Sequence, residues 1–302
     1  MRSGHAVSVV VPHYGPPELT LGLVHQLRTQ THEQLEVIVA DDCSPQPFPE
    51  VEGVRLVRRQ HNGGFGSAVN SGAAIAHGEL LLILNSDLTI TPTFVADLVA
   101  AAAPWQPAVT GPLIYWVEQG RDELTGRHFP TATSSALEWL TVLARHRHRR
   151  ALTEGIGNDT ACVPGAVVPV DWLVGAALLL PRDCFEAVGG FDESYFMNGE
   201  EVDLQRRLRD HGIPSVFLGT VRVEHVGGAS SDPQRRQAWA IAARHRYARR
   251  WGFGRRLKVA LGAATMVNAV TNGVRQLAGR EVDAATVARR EWRLAMDQVS
   301  EQ

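Results

Sequence analysis

The fold is decided by the segment Glu79-Leu80-Leu81-Leu82-Ile83-Leu84-Asn85-Ser86-Asp87, in which an apolar run ends in a polar turn. Such a run predicts a strand that is buried on both faces, as in the parallel sheet of an α/β protein. Open α/β sheets bind ligands beyond the carboxyl ends of their strands, where Asp87 would lie. A carboxylate at that place can hold a divalent cation together with substrate phosphates. Taken alone, however, the tripeptide is more typical of a turn before a helix that would start near Pro92.

The rest of the first half alternates strands with helices, which favours the nucleotide site over the simple turn. Apolar runs predict strands at 7–11, 35–40, 54–57 and 80–84, and helical spacing predicts helices at 19–28 and 67–77. Strands that alternate with helices of this length form a parallel sheet with right-handed crossovers. The first half is therefore predicted to be Rossmann-like.

The second half is less regular. No clear period runs through 119–168, where a basic cluster at 145–150 reads either as a solvated surface or as a contact for an anionic acceptor. Further elements are predicted at 170–180, 183–188, 200–210, 216–218 and 221–224, and 233–302 is predicted to be mostly helical.

Composition narrows the function classes. The chain has 302 residues, of which 44% are hydrophobic and 21% charged, as in an ordinary globular protein. A formal net charge of -2 argues against a general nucleic-acid binder. The three cysteines are far apart, which indicates free thiols in a reducing compartment. With no signal segment recognised and no membrane-spanning run, we expect a cytoplasmic protein.

Four features carry chemistry, and each has a simpler structural reading. Asp42 ends a strand and could accept the ring N–H of a pyrimidine, but it is also a common turn residue. Asp87 could bind a metal. Glu200 and Glu201 start a helix, where acids also complement the helix dipole. His225 precedes two glycines and could complete a metal shell through a neutral imidazole.

Taken together and in order, these segments resemble glycosyltransferase family 2, the inverting transferases of the GT-A fold. The motifs that carry the resemblance are Ser8-Val9-Val10-Val11-Pro12-His13-Tyr14, Val39-Ala40-Asp41-Asp42-Cys43-Ser44, Asn62-Gly63-Gly64-Phe65-Gly66 with Asn70, Asn85-Ser86-Asp87, Trp172-Leu173-Val174-Gly175-Ala176, Gly189-Gly190-Phe191-Asp192-Glu193, Phe196-Met197-Asn198-Gly199-Glu200-Glu201-Val202-Asp203-Leu204 and His225-Val226-Gly227-Gly228-Ala229-Ser230. They span roughly 6–231, and the subgroup looks like bacterial rhamnosyltransferases and galactofuranosyltransferases of cell-wall and O-antigen synthesis.

The resemblance implies an α/β fold: a GT-A Rossmann-like α/β/α sandwich with a mostly parallel central sheet. It implies a catalytic domain at 1–231, with a nucleotide-sugar-binding half at 1–118 and an acceptor-binding half at 119–231. A helical C-terminal extension would occupy 232–302.

The resemblance also implies roles for individual residues. Glu201 corresponds to the general base, and Asp87 and His225 to metal ligands for Mg²⁺ or Mn²⁺. Two positions depart from the family pattern, since Asn85 replaces the first acid of the metal-binding motif and Glu201 stands where many relatives carry Asp. The implied nucleotide-sugar-binding residues are Pro12, Tyr14, Asp42, Asn62, Gly63, Asn70, Asn85, Ser86 and Asp87. The implied acceptor-binding residues are Trp172, Gly175, Ala176 and Glu200.

The implied reaction moves a sugar, such as rhamnose, from a dTDP- or UDP-sugar to a hydroxyl of a glycan or polyprenyl-linked acceptor. A carboxylate must take the proton of that hydroxyl as it attacks, because an alcohol is a poor nucleophile near neutral pH. Two alternatives are a non-catalytic nucleotide-sugar or membrane-surface module and a nucleotidyltransferase. The second is disfavoured, because Pro12-His13-Tyr14-Gly15-Pro16-Pro17 offers no cation for a triphosphate.

The C-terminal region predicts either a membrane surface or a packing face. From Arg235 to Lys258 the sequence contains no acid, and apolar residues continue to Val274. Basic and apolar residues together suit the cytoplasmic face of the inner membrane, where a lipid-linked acceptor would be presented. Alternatively, the apolar positions pack on the catalytic core or form a homodimer interface.

Overall fold

The protein is described here from a computed structural model that covers residues 5–227 and 233–296. The strands are β1 (Val7–His13), β2 (Leu35–Asp41), β3 (Val54–Arg58), β4 (Leu80–Leu84), β5 (Leu88–Thr89), β6 (Val109–Trp116), β7 (Arg121–Asp122), β8 (Gly126–Arg127), β9 (Val167–Val170), β10 (Trp172–Leu173), β11 (Ala177–Pro181) and β12 (Ser215–His225). The helices are α1 (Glu18–Leu27), α2 (Phe65–Ala73), α3 (Phe94–Ala102), α4 (Ala132–Trp139), α5 (Arg150–Gly155), α6 (Arg182–Ala187), α7 (Glu200–Asp210), α8 (Pro233–Arg250), α9 (Gly254–Leu277) and α10 (Ala284–Ala295), with 3-10 helices at Ala103–Trp105 and Thr141–His146.

The described chain divides into two compact units. The first contains 5–128 and 161–227, and the second contains 129–160 together with 233–296. The expected boundary between 231 and 232, and the motif residues Gly228, Ala229 and Ser230, lie outside the described residues.

The first unit is built on a mixed sheet in the order β3-β2-β1-β4-β11-β6-β12-β5. The strands β3, β2, β1 and β4 are parallel, whereas β11 runs antiparallel to both of its neighbours, β4 and β6. The pair β6 and β12 is again parallel. This arrangement confirms the predicted α/β fold, and the sheet is mixed: β3, β2, β1 and β4 form its parallel part, and antiparallel pairs occur around β11 and β12.

Both faces of the sheet are covered, which explains the continuous apolar runs in the sequence. Successive side chains of a strand point to opposite faces. Accordingly, Val9 and Val11 belong to a core that includes residues of α1 and α3. Val10 belongs to a second core with Val69 of α2 and Leu204 of α7. Burial on both faces holds the strand ends in fixed positions at one edge.

Three elements differ from the sequence prediction. The expected helix at 67–77 is α2, which already begins at Phe65 and ends at Ala73. The helix expected to begin near Pro92 is α3, which begins at Phe94. The two short strands expected at 216–218 and 221–224 are one strand, β12, because an irregularity between Leu218 and Arg222 shifts the register without ending the pairing with β6.

The second unit is helical. Its core contains Ala248 of α8, Leu257 and Leu261 of α9 and Ala295 of α10. The side chain of Asn268, which is buried in α9, bonds to the backbone of Trp139 and Thr141 and to Glu291. The lack of apolar period between 129 and 160 follows from short helices with few buried residues. No helix in the described ranges is long and apolar enough to cross a membrane.

Candidate active site

The ends of β1 and β2 bring together the first predicted donor-binding residues. The backbone N–H of Asp42 donates to the carbonyl of His13 at 2.9 Å, and the N–H of Gly15 donates to the Ser44 hydroxyl at 3.1 Å. Between these contacts, Tyr14 is 52% exposed at the same edge. Pro12, Tyr14 and Asp42 therefore lie side by side.

The carboxylate of Asp42 is held by the glycine-rich loop. It accepts hydrogen bonds from the N–H of Gly63 at 3.0 Å and of Gly64 at 2.7 Å, and an ion pair joins it to Nε of Arg59 at 3.2 Å. The side chain of Asn62 also accepts from the N–H of Gly64, at 3.2 Å. Burial raises the pKa of Asp42 more than these hydrogen bonds and the charge of Arg59 lower it. Asp42 thus orders the loop that contains Asn62 and Gly63.

Asn70 has a structural partner. Its amide both donates to the carbonyl and accepts from the N–H of Phe191, each at 2.9 Å, and it also donates to Glu193 at 3.1 Å. These bonds tie α2 to the segment before α7. A donor-binding role for Asn70 stays a prediction.

The end of β4 meets the start of β11. The N–H of Asn85 donates to the carbonyl of Ala176 at 2.8 Å, and Leu84 pairs with Ala177. The predicted acceptor-binding segment therefore reaches the Asn85-Ser86-Asp87 turn. Trp172 anchors that segment on its other side, because its indole N–H donates to the carbonyl of His128 at 3.0 Å.

Asp87 and His225 lie in contact. Oδ1 of Asp87 is 2.9 Å from Nε2 of His225, because β5 pairs with the end of β12 and places His225 opposite Leu88. The ring of Trp116 lies against the imidazole, with 4.1 Å between the ring centroids. Nδ1 of His225 is buried and has no hydrogen-bond partner within the described ranges.

This pair fits the requirements of a divalent cation. Two neighbouring ligands of an octahedral ion with bonds of 2.0–2.1 Å are separated by about 3 Å, and the two donor atoms here are 2.9 Å apart. A carboxylate oxygen suits Mg²⁺ and Mn²⁺, and an imidazole nitrogen is a ligand of transition-metal ions.

Glu201 lies in the first turn of α7, beside Gly175. A Cβ added to Gly175 would lie 3.3 Å from Cβ of Glu201, so the lack of a side chain at Gly175 gives the glutamate its room. Burial raises the pKa of Glu201, although backbone hydrogen bonds at Glu201 and Gly199 and the charge of Arg127 oppose the rise. Its Oε2 is buried and, in the part of the chain that the structure covers, unpaired. A buried, partly unpaired carboxyl is equipped for proton transfer.

Glu200 has different surroundings. Glu200 is buried against α2, where a Cβ added to Gly66 would lie 3.6 Å from the Cβ of Glu200. Burial first and the charge of Glu201 second raise the pKa of Glu200 well above its usual value. The two adjacent glutamates therefore have different neighbours: α2 for Glu200 and Gly175 for Glu201. An acceptor-binding role for Glu200 stays a prediction.

Sequence reasoning missed three residues of the site: Arg59, Arg127 and Gln205. Arg59 pairs with Asp42, and Arg127 contributes positive charge near Glu201. The amide of buried Gln205 bonds to both the N–H and the carbonyl of Leu173, each at 2.8 Å, so α7 holds β10 in place. Gln205 follows Glu201 by four residues on the same helix face, and that spacing was the available signal.

These features define the class of the protein: an α/β protein whose carboxyl sheet edge gathers a loop-binding aspartate, an Asp–His pair and a half-buried glutamate. Residues 8–171 match Glycosyl transferase family 2. The chain belongs to this family and is a glycosyltransferase.

Named relatives and solved structures are consistent with this family. The chain is 30% identical over 256 residues to the N-acetylglucosaminyl-diphospho-decaprenol L-rhamnosyltransferase of Mycobacterium tuberculosis, covering 79% of this chain and 81% of the relative. It is 30% identical over 241 residues to the O-antigen biosynthesis protein RfbC of Myxococcus xanthus, covering 76% of this chain and 18% of the relative. The mannosyltransferase PcManGT of Pyrobaculum calidifontis, solved with GDP-Man and Mn²⁺, has a similar fold with a TM-score of 0.60 at 15% identity, over 97% of this chain and 81% of that one.

Proposed function

We propose that this glycosyltransferase inverts the anomeric centre as it moves a sugar from a dTDP- or UDP-sugar to a hydroxyl of a glycan or polyprenyl-linked acceptor. The observation that carries the proposal is the position of Glu201. Its buried carboxyl lies beside Gly175, and the next residue, Ala176, bonds to Asn85 at the start of the Asn85-Ser86-Asp87 turn. Two contacts, through the adjacent residues Gly175 and Ala176, thus join the proton acceptor to the turn that would bind the diphosphate.

The donor binds at the ends of β1, β2 and β4. Tyr14 offers an exposed aromatic face to the base, and Asp42 orders the loop at Gly63. Ser86 and Asn85 follow β4 and offer polar groups to the ribose or diphosphate. The donor half corresponds to 1–118 and the acceptor half to 119–231, with Trp172, Gly175 and Ala176 beside the acceptor.

Glu201 acts as the general base. It removes the proton from the acceptor hydroxyl as the oxygen attacks the anomeric carbon, and the bond to the nucleoside diphosphate breaks on the opposite face. A carboxyl whose pKa is raised by burial is a stronger base than an exposed one. The nearby charge of Arg127 keeps the ionised form accessible.

Asp87 and His225 are the residues that would hold a divalent cation, Mg²⁺ or Mn²⁺. When bound, such a cation stabilises the negative charge of the departing diphosphate as a Lewis acid. Trp116 packs on the imidazole and so fixes the direction of its Nε2 toward Asp87. With Asn85 in place of an acid, a single carboxylate faces the diphosphate from this turn.

The name of one relative supports a choice of sugar and acceptor to test. A relative with 30% identity over most of both chains is named for rhamnose transfer to a decaprenol-linked sugar. We therefore infer rhamnose as the first donor sugar to test. A lipid-linked acceptor would place the enzyme at the cytoplasmic face of a membrane.

The test is a donor screen followed by two matched variants. Purified protein is incubated with dTDP-rhamnose and other nucleotide sugars, Mn²⁺ and a prenyl-diphosphate-linked N-acetylglucosamine acceptor, and the released nucleoside diphosphate is measured by mass spectrometry. Glu201→Gln should lower turnover by about 10² to 10⁴ while donor binding persists, because removing a general base affects the chemical step. Glu200→Gln is the matched comparison and should lower turnover less than Glu201→Gln does.

Two outcomes contradict the proposal. If Glu200→Gln is inactive and Glu201→Gln is active, the base is the neighbouring residue. If the acceptor product of the wild type retains the anomeric configuration of the donor, as read from the coupling constants of the anomeric proton, inversion is excluded.

A further inference from the structure

Helix α9 exposes an apolar face that no part of the described chain covers. Val259, Met266, Val270, Val274 and Leu277 are 74%, 61%, 68%, 62% and 91% exposed. They recur at intervals of three, four and seven residues, so they lie on one side of the helix. The opposite side contains the buried polar residues Thr265, Asn268 and Asn272 as well as leucines. The apolar surface of this helix is therefore directed outward.

A groove lies next to this face. It has a volume of about 500 Å³ and is formed between α9 and α10. Its lining includes Met266, Ala269, Ala288, Arg289, Trp292 and Arg293. Trp292 is 44% exposed, and tryptophan favours the boundary between lipid and water. Two arginines thus border an apolar cavity.

The charge on α9 itself is of one sign. The sequence from 233 to 280 contains no Asp or Glu. Arg255 and Arg256 are exposed at the start of α9, and Arg275 is exposed in its last turn. The acids near its far end are Glu281 and Asp283, of which Asp283 caps α10. Apolar side chains flanked by arginines complement a partner that has an apolar interior and an anionic surface.

We infer that the exposed face of α9, with the adjoining groove, docks the enzyme on an anionic phospholipid bilayer. The helix lies along the surface, since no described helix can span the membrane. The valines and Trp292 enter the boundary of the acyl chains, and the arginines contact lipid phosphates. This inference deepens the proposed function, because it names the surface on which a lipid-linked acceptor is met.

A second copy of the chain fits this face less well. A two-fold contact in which the two α9 helices run parallel would bring Arg255 and Arg256 near the same residues of the other copy. Like charges at an interface are unfavourable, and the sequence offers no acid between 233 and 280 to neutralise them. An anionic bilayer meets no such repulsion.

The experiment measures co-sedimentation of the full chain with vesicles, with no sugar donor present. One set of vesicles is phosphatidylcholine, and the other contains equal parts of phosphatidylcholine and phosphatidylglycerol. The wild type should bind the second set at low salt and be released at about 1 M salt, where the Debye length falls to about 3 Å. Arg289→Gln and Arg293→Gln should each lower partitioning about fivefold, whereas Arg28→Gln, at an exposed position directly after α1, should not.

The apolar part of the face is tested by Val270→Asp against Val163→Asp. Val163 is 49% exposed in the other unit, so it controls for the new charge. Val270→Asp should lower partitioning about tenfold or more, with unchanged thermal unfolding, because the side chain leaves an apolar layer. Wild type that stays unbound at low salt overturns the inference, and so does a Val270→Asp variant that binds as well as wild type. A dimer in the absence of vesicles that Val270→Asp dissociates would also overturn it, in favour of a second copy.

Discussion

Oδ1 of Asp87 lies 2.9 Å from Nε2 of His225, although the two residues are far apart in the sequence. The contact depends on the short pairing of β5 with β12. The contact brings a carboxylate oxygen and an imidazole nitrogen together near the end of β4, where a cation and the diphosphate of the nucleotide sugar are expected to bind.

We predict that Asp87→Asn and His225→Ala each weaken Mn²⁺ binding by tenfold or more, because each removes one of two protein ligands. Isothermal titration of Mn²⁺ into the protein without donor measures this directly. His25→Ala, at an exposed position of α1, is the control. Unchanged Mn²⁺ affinity in both site variants would contradict the assignment.

The pH dependence of kcat/KM should show the raised pKa of Glu201. A general base works only when ionised, so kcat/KM should fall as the pH drops through a pKa above the ordinary value of 4.5. In Glu201→Gln this acid limb should vanish from the residual rate. An acid limb that persists unchanged in Glu201→Gln would assign the ionisation to another group.

Substitution of Gly64 should uncouple the loop at Asp42 from the segment before α7. Gly64 has φ +86°, and an added Cβ would lie 1.8 Å from the carbonyl oxygen of Phe196. Gly53 has φ +77° and open space around it. Gly53→Ala should cost about 1–2 kcal/mol for the left-handed backbone alone. Gly64→Ala should cost several kcal/mol more and lower donor affinity, as measured by urea unfolding and donor titration; equal costs would show that the contact with Phe196 relaxes freely.

Glu200→Gln should stabilise the protein at neutral and alkaline pH. The pKa of Glu200 is raised in the folded state, first by burial and then by the charge of Glu201. Its favourable, protonated form is therefore fully present below the unfolded value of 4.5, and stability is lost as the pH rises through the folded pKa. The difference in Tm between Glu200→Gln and wild type should grow with pH, by about 2–4 °C for each kcal/mol in a chain of this size.

The control for this measurement is Glu33→Gln, which changes an exposed glutamate. It should leave Tm within a degree or so at every pH, because surface substitutions usually change stability by less than about 0.5 kcal/mol. A Tm difference between Glu200→Gln and wild type that does not change with pH would mean that glutamate and glutamine differ in packing at this position, and not in charge.

Much of this site was predictable from the sequence, because strand ends can be read from apolar runs. The end of Leu35–Asp41 and all of Leu80–Leu84 are buried, and the predicted ends of these two strands place Asp42 and Asp87 at one edge. The proximity of Asp87 and His225 that the motifs implied is observed. Their roles in metal binding, like that of Glu201 in proton transfer, stay predictions.

The remaining features depend on tertiary contacts that carry no local period. Strand β5 has two residues, too few for an alternating pattern. Arg59 reaches Asp42 because β3 pairs with β2 and places Arg58 opposite Asp41, and this pairing cannot be read from either segment alone. The continuity of β12 across its irregularity depends on its pairing with β6, which no single segment encodes.

The reversed direction of β11 has a consequence for how such enzymes diverge. Because β11 runs against β4, its first residue, Ala177, pairs with Leu84 at the last position of β4. The five residues from Trp172 to Ala176 therefore enter the site from the chain that precedes β11, and none of them pairs with the parallel strands β1 to β4. If the proposed function is correct, substitutions in this short segment can change which acceptor hydroxyl is presented to Glu201, while the nucleotide sugar that is bound stays the same.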